Sequence, residues 1–209
     1  MTDTSERRER FGPVDIWWLD LGLLGADASR CWEALSEDER RRAEKLRSPE
    51  VHRRFLAAHL GLRQTLAAYV GGTPAALVLV QGPHGKPRLQ EGPSFSLSHS
   101  GDLALCAVAW RRACGVDLEQ LRPVPEADHI AADWFGPRDA ATYEATELGQ
   151  RENTFLRLWT RREAYLKALG VGIARAGPPE DIDPARWEAR ELQPGPGYVG
   201  TLVWELTPA

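Results

Sequence analysis

The sequence predicts an α+β fold built from two similar halves packed against each other. Three observations carry this expectation. Strand-like apolar segments occur on both sides of residue 112, and each side also holds a long segment with apolar residues at helical spacing. The order in each half is strand, helices, strands, and no low-complexity linker separates the halves. The expected division is 1–112 and 113–209, within one unit.

The elements follow in order. Val14 to Leu21, VDIWWLDL, has strand composition after Pro13. The preceding MTDTSERRERFG lacks the apolar core of a signal peptide and reads as a frayed tail. Ser29 to Arg47 reads as helix, with Ser36 and Glu39 at capping-box spacing. Its Arg40-Arg41-Arg42 run reads as a solvated face. Ser48-Pro49 opens a second helix, Glu50 to Val70, whose apolar face includes Phe55, Leu56, Leu60, Leu62, Leu66 and Tyr69. Gly71-Gly72 ends it. Leu77 to Val80 is a short strand and GPHGKPRL a loop. Phe95 to Ser98 and Leu103 to Trp110 are strands about the SHSGD turn, and Cys114 to Leu118 is another. Short helices are expected at Ile130 to Trp134 and Pro137 to Glu147. A long helix, Asn153 to Leu169, stops at Gly170, and Trp187 to Leu192 with Tyr198 to Leu206 closes as a hairpin.

Composition narrows the function classes. The chain has 209 residues, 43% hydrophobic and 27% charged, with a net charge of −4. That balance gives no footprint of general nucleic-acid binding. No apolar run approaches the ~18 residues of a membrane span, so no membrane partner is expected and cytoplasmic residence is the default. Cys31, Cys106 and Cys114 have no CxxC spacing, which argues against a disulfide framework or thiolate zinc site, and Cys106 reads as core.

Several residues could carry chemistry. Asp117 and Glu119, in GVDLE, sit at i and i+2, so a strand would point both the same way. Paired oxygen ligands suit Mg²⁺, although two exposed charges at a strand end are the commoner meaning of a bare DxE. Glu163 and Lys167 are one helical turn apart; alone they are an ordinary surface pair worth roughly 0.3–0.5 kcal/mol. Ser98 and His99 fall on opposite sides of a strand and make a poor nucleophile–base pair. Phosphate contact by His99 and turn N–H groups competes there with a simple turn histidine. Lys86 in GKP and Arg53-Arg54 read as surface charges, or as phosphate contacts if aimed into a pocket.

The motifs FSLSHSGDLALCAVA, GVDLE and LWTRREAYLKALGVG, in that order, resemble the Sfp-type 4′-phosphopantetheinyl transferases. GKPRL and the RRF of the second long helix also fit. The resemblance covers Ile16 to Gly172 and extends more loosely to the closing hairpin. It implies a monomeric pseudo-dimer of two α+β halves with coenzyme A in the cleft between them. It implies Asp117, Glu119 and Glu163 as carboxylates for Mg²⁺, with Mn²⁺ an alternative. Lys167 would sit near the pyrophosphate, Ser98 and His99 would hold coenzyme A phosphates, Lys86 would line the nucleotide site, and Arg54 would meet the 3′-phosphate. The family's W-x-x-K-E reads here with Arg162 before Glu163. Glu39 stands where some members have lysine, with Arg42 nearby, and Phe55 where some have a small hydroxyl residue.

The resemblance implies transfer of phosphopantetheine from coenzyme A to a serine of an acyl or peptidyl carrier protein. Glu163, directly or through a metal-bound water, would accept the serine proton, Lys167 would stabilise or protonate the departing phosphate, and His99 and Arg54 would position the nucleotide. The carrier is expected to dock on Leu121 to Arg151, where Trp134 and Phe135 are either anchors or core. The competing readings are a coenzyme A-binding module without transfer activity, suggested by Arg162, and an unrelated Mg²⁺-dependent phosphohydrolase.

Overall fold

The computed structural model describes residues 6–172 and 179–207. Strands β1 (Glu6–Phe11) and β2 (Val14–Asp20) lead into short helices α1 (Leu21–Leu24), α2 (Ala28–Ala34) and α3 (Glu37–Ala43), then the long α4 (Pro49–Val70). A small hairpin, β3 (Leu79–Gln81) and β4 (Pro87–Leu89), precedes β5 (Ser94–Ser100) and β6 (Leu103–Ala109). Next come β7 (Cys114–Gln120), α5 (Ala127–Trp134), α6 (Pro137–Glu144), the long α7 (Arg151–Leu169), and the hairpin β8 (Trp187–Leu192) and β9 (Tyr198–Glu205).

One sheet has the order β1-β2-β6-β5 and another β7-β9-β8. In both, a strand is followed by a long helix and then a hairpin whose last strand inserts beside the first. The shared topology is the two-half arrangement that the element order predicts. Ile16, Trp18 and Leu105 of the first sheet share a buried core with Val116, Leu118 and Leu202 of the second. Helix α4 covers the other face of the first sheet through Ala58, Leu62 and Leu66, packed with Phe95 and Cys106. Helix α7 covers the second sheet, with Ala164 and Ala168 packed near Val203.

Three sequence expectations change, at the N-terminal tail, at Ser29 to Arg47 and within GPHGKPRL, and the alternative left open at Phe135 is decided as core. Residues 6–11 are not a frayed tail: they pair antiparallel with β2. Arg8 and Arg10 reach the buried Asp15 carboxylate at 2.7 and 2.8 Å, and the Arg7 guanidinium lies over the Trp18 ring. These cross-strand contacts cannot be seen from the polar composition alone. The segment Ser29 to Arg47 is not one helix. Leu35 is extended at the end of α2, and Ser36 starts α3 through the expected capping box with Glu39. Phe135 is core, packed against Tyr143 and Phe155, while Trp134 is half-buried. Within GPHGKPRL, Pro87–Leu89 pairs with Leu79–Gln81, and Gly85 takes a left-handed conformation (φ 87°) in the turn.

Candidate active site

The site is built where α7 crosses β7. Gly115, Asp117 and Glu119 share the face of β7 toward the helix, because strand side chains alternate. Gly115 permits the approach: a methyl group there would overlap the Ala164 carbonyl and the Ala168 amide. Close packing brings Lys167 Nζ to 2.6 Å from Asp117 Oδ1. Helix α7 then ends in a Schellman turn. Gly170 is left-handed (φ 76°), and the Val171 and Gly170 N–H groups donate to the carbonyls of Leu166 and Lys167.

The carboxylates are charged neighbours. Burial first, then the Asp117 charge, raises Glu163; the same two causes raise Glu119. The Ser98 hydroxyl donates to Asp117 Oδ1 at 2.7 Å, and that of Ser100 to Glu119 Oε2 at 3.1 Å. Asp117 Oδ2 is buried and, among the described residues, has no hydrogen-bond partner. Among the described residues, no three His, Cys, Asp or Glu side chains converge closely enough to form a ready metal cage.

A cavity of about 600 Å³ opens beside this cluster, lined by Arg42, Phe55, His59, Lys86, His99 and Lys167 among others. Residues from both sides of position 112 line it. Lys167 links cavity and carboxylates, since it faces the one and hydrogen-bonds the other. Lys86 Nζ donates to the carbonyls of Cys114 (2.9 Å) and Lys167 (2.7 Å), tying the β3–β4 turn to the end of α7. Burial, with Lys167 nearby, lowers its pKa. Among the described residues, two of its three N–H donors are taken. His99 is exposed on the cavity wall, and desolvation, then Lys167 and Arg54, lower its pKa.

The predicted residues are therefore not all arranged alike. Asp117, Glu119, Glu163 and Lys167 gather at the helix–strand crossing, and Lys86 and His99 line the cavity. Ser98 is buried, and its hydroxyl is directed at Asp117 rather than at the cavity. Arg54 does not line the cavity. Its guanidinium donates to Asp102 at 3.0 and 3.2 Å and pairs with Glu50 at 2.7 Å, so meeting a phosphate requires exchanging those carboxylates. Glu39 lines the cavity, but its carboxylate is bound to the fully buried Arg63 (2.8 Å) and to the Ser36 N–H. Arg162 neither reaches the cavity nor faces solvent; it is buried, with Nη1 donating to the Glu180 carbonyl at 3.1 Å. The sequence reading missed Ser96 and Ser100. The signal was present in the alternation Ser96, Ser98, Ser100.

Comparison with known proteins identifies relatives of this chain. Residues 113–200 match the model of the 4′-phosphopantetheinyl transferase superfamily. The chain is 37% identical over 202 residues to the 4′-phosphopantetheinyl transferase HetI of Nostoc sp., covering 93% of this chain and 83% of that protein. It is 36% identical to a putative 4′-phosphopantetheinyl transferase of Synechocystis sp., covering 67% of this chain and 58% of that one. A 4′-phosphopantetheinyl transferase of Bacillus subtilis is 27% identical, over 75% of this chain and 70% of its own. With the two-half topology, the carboxylate cluster on α7 and β7, and a relative matched along most of both chains, the chain belongs to the 4′-phosphopantetheinyl transferase family.

Proposed function

We propose that the chain transfers 4′-phosphopantetheine from coenzyme A to a serine hydroxyl of an acyl or peptidyl carrier protein, turning apo carrier into holo carrier and releasing adenosine 3′,5′-bisphosphate. The observation that carries this reading is Lys167, whose ammonium lies both on the wall of a nucleotide-sized cavity and 2.6 Å from a buried carboxylate beside Glu163.

The nucleotide end of coenzyme A would occupy the cavity, its phosphates facing Arg42, Lys86, His99 and Lys167. Arg54 would join them by leaving Asp102. Glu163 is the general base. Base assistance of this kind is typically worth ~10²–10⁴-fold. Lys167 stabilises the leaving phosphate, since charge grows there as the phosphorus–oxygen bond breaks. A single rigid helix holds base and cation one turn apart, and positioning is most of what the protein supplies in such a transfer.

The donor set suits a divalent cation, Mg²⁺ or Mn²⁺. Among the described residues Asp117 Oδ2 is buried without a partner, and the neighbouring groups, Glu119 and Glu163, are oxygen donors whose pKa burial and the Asp117 charge raise. Asp117, Glu119 and Glu163 would hold the ion, which when bound polarises the pyrophosphate and offsets its charge. Lys167 supplies a countercharge to Asp117.

Both 1–112 and 113–209, the two proposed halves, supply cavity walls, which supports a monomer as the working unit. No described helix is long and apolar enough to cross a membrane; residence in the cytoplasm is the accompanying proposal. The carrier would dock on Leu121 to Arg151, with Trp134 the available aromatic. Intact mass of several apo carriers after incubation with coenzyme A and Mg²⁺ tests the reading. A gain of one phosphopantetheine on at least one is expected. Bound coenzyme A without any gain would instead make the chain a binding module, and adenosine bisphosphate released without carrier would make it a hydrolase.

A further inference from the structure

Strands β5 and β7 lie side by side but belong to different sheets and share no backbone ladder. Serine hydroxyls stand where backbone carbonyls would otherwise accept. The N–H of Val116 donates to Ser96 Oγ at 3.1 Å, that of Leu118 to Ser98 Oγ at 3.3 Å, and that of Gln120 to Ser100 Oγ at 3.0 Å. Each rung spans 20 residues, so the strands run parallel and in step. The β-strand period of two makes this possible, because Ser96, Ser98 and Ser100 all face the same side.

A carbonyl oxygen can only accept, whereas a hydroxyl accepts and donates. Two of the three rungs use the second capacity: Ser98 donates to Asp117 and Ser100 to Glu119. At the third, the corresponding residue is Gly115, the glycine that admits α7.

We infer that Ser96, Ser98 and Ser100 form a hydroxyl ladder that fastens the two sheets together and, through Ser98 and Ser100, aims the Asp117 and Glu119 carboxylates into the site. Ser98 and Ser100 are then positioning residues, and Ser96 is a fastener alone. The aiming role rests on the proposed use of Asp117 and Glu119 as metal carboxylates; the ladder itself does not.

Two measurements on the full chain separate these points. The first is a metal-free urea cycle of Ser100→Ala, Glu119→Ala and the double variant. The midpoint loss of the double variant should be smaller than the sum of the single losses, since both remove one contact. Additive losses would overturn the Ser100–Glu119 coupling. The second is Mn²⁺ titration followed by the electron paramagnetic resonance of free Mn²⁺. Removing a hydrogen-bond partner of a metal ligand typically weakens binding ~10–100-fold. Ser100→Val should show that loss, Ser100→Thr should stay close to wild type, and Ser96→Ala should lower the urea midpoint while leaving Mn²⁺ affinity within about twofold. Thr and Val differ only in a hydroxyl for a methyl, so the pair remains decisive if Ser100→Ala folds poorly. Equal Mn²⁺ affinity in Ser100→Val and Ser100→Thr would overturn the aiming role. A wild-type chain that takes up no Mn²⁺ would overturn the metal reading, and an unchanged urea midpoint in Ser96→Ala would still overturn the ladder.

Discussion

At the residue scale, the ion pair of Lys167 and Asp117 carries two roles that mutation can separate. Asp117 is buried and receives hydrogen bonds from Lys167 and Ser98 on a single oxygen. Lys167→Ala should lower turnover and also destabilise the chain by about 1–3 kcal/mol, because the carboxylate loses its countercharge. Steady-state kinetics and urea denaturation would report the two effects; a variant with only weakened coenzyme A binding would exclude the leaving-group role. Glu163→Gln differs, since an amide of the same shape removes the base and leaves the packing. Carrier modification should fall at least ~100-fold with an unchanged circular dichroism spectrum. The motif exposed these residues by type and spacing, but the chain alone could not show that Lys167 bonds Asp117 in preference to Glu163, its neighbour one turn away.

At the element scale, the contact between α7 and β7 decides whether the site exists. Gly115→Ala places a methyl group against backbone atoms of Ala164 and Ala168, which cannot rotate away as a side chain could. Overpacking of this kind costs about 1–3 kcal/mol. The helix that carries Glu163 and Lys167 must shift, so transfer should fall more than the melting temperature alone would suggest. Assaying the variant well below its melting point tests this, and full activity there would show that the site tolerates helix displacement. Strand β1 poses a different problem. Deleting residues 6–11 uncovers the edge of β2 and removes the Arg8 and Arg10 donors from Asp15. Lower stability and concentration-dependent aggregation are expected, as read by urea midpoint and light scattering. Helices α4 and α7 were legible because their apolar spacing and glycine stops are local signals. Strand β1 was not, because its polar side chains are explained only by the partner strand.

At the scale of the whole molecule, stability should decline in acid in two stages. Burial holds the His59 imidazole down at about 4, against an ordinary value of 6.5, so the fold favours its neutral form. That contribution is complete above pH 6.5 and is lost as pH falls toward 4. Burial alone would raise Asp15, but hydrogen bonds from Arg10, Tyr69 and Arg8 bring it to about 2. Arg54 and Arg53 hold Asp102 at about 2 as well. Their contribution is complete above the ordinary 3.8 and is lost as pH falls to about 2. Glu119 and Glu163 act oppositely: both are raised, so acid relieves them. The urea midpoint of wild type against His59→Phe across pH 7 to 4 isolates the upper stage, which should flatten in the variant. An unchanged upper stage would assign it to other groups.

The sequence by itself determined the two-half α+β plan, the long helices, the capping box at Ser36 and the residues able to do the chemistry, because each rests on local spacing or on motif order. The tertiary structure decided which hydroxyls, carboxylates and cations meet. Ser98 turns to Asp117, Arg54 is held by Asp102 and Glu50, and Arg162 is buried against the Glu180 carbonyl. Partner choice depends on packing between elements distant in the chain. Buried charges and hydroxyls take whichever partners that packing brings within reach, and no local pattern encodes the result.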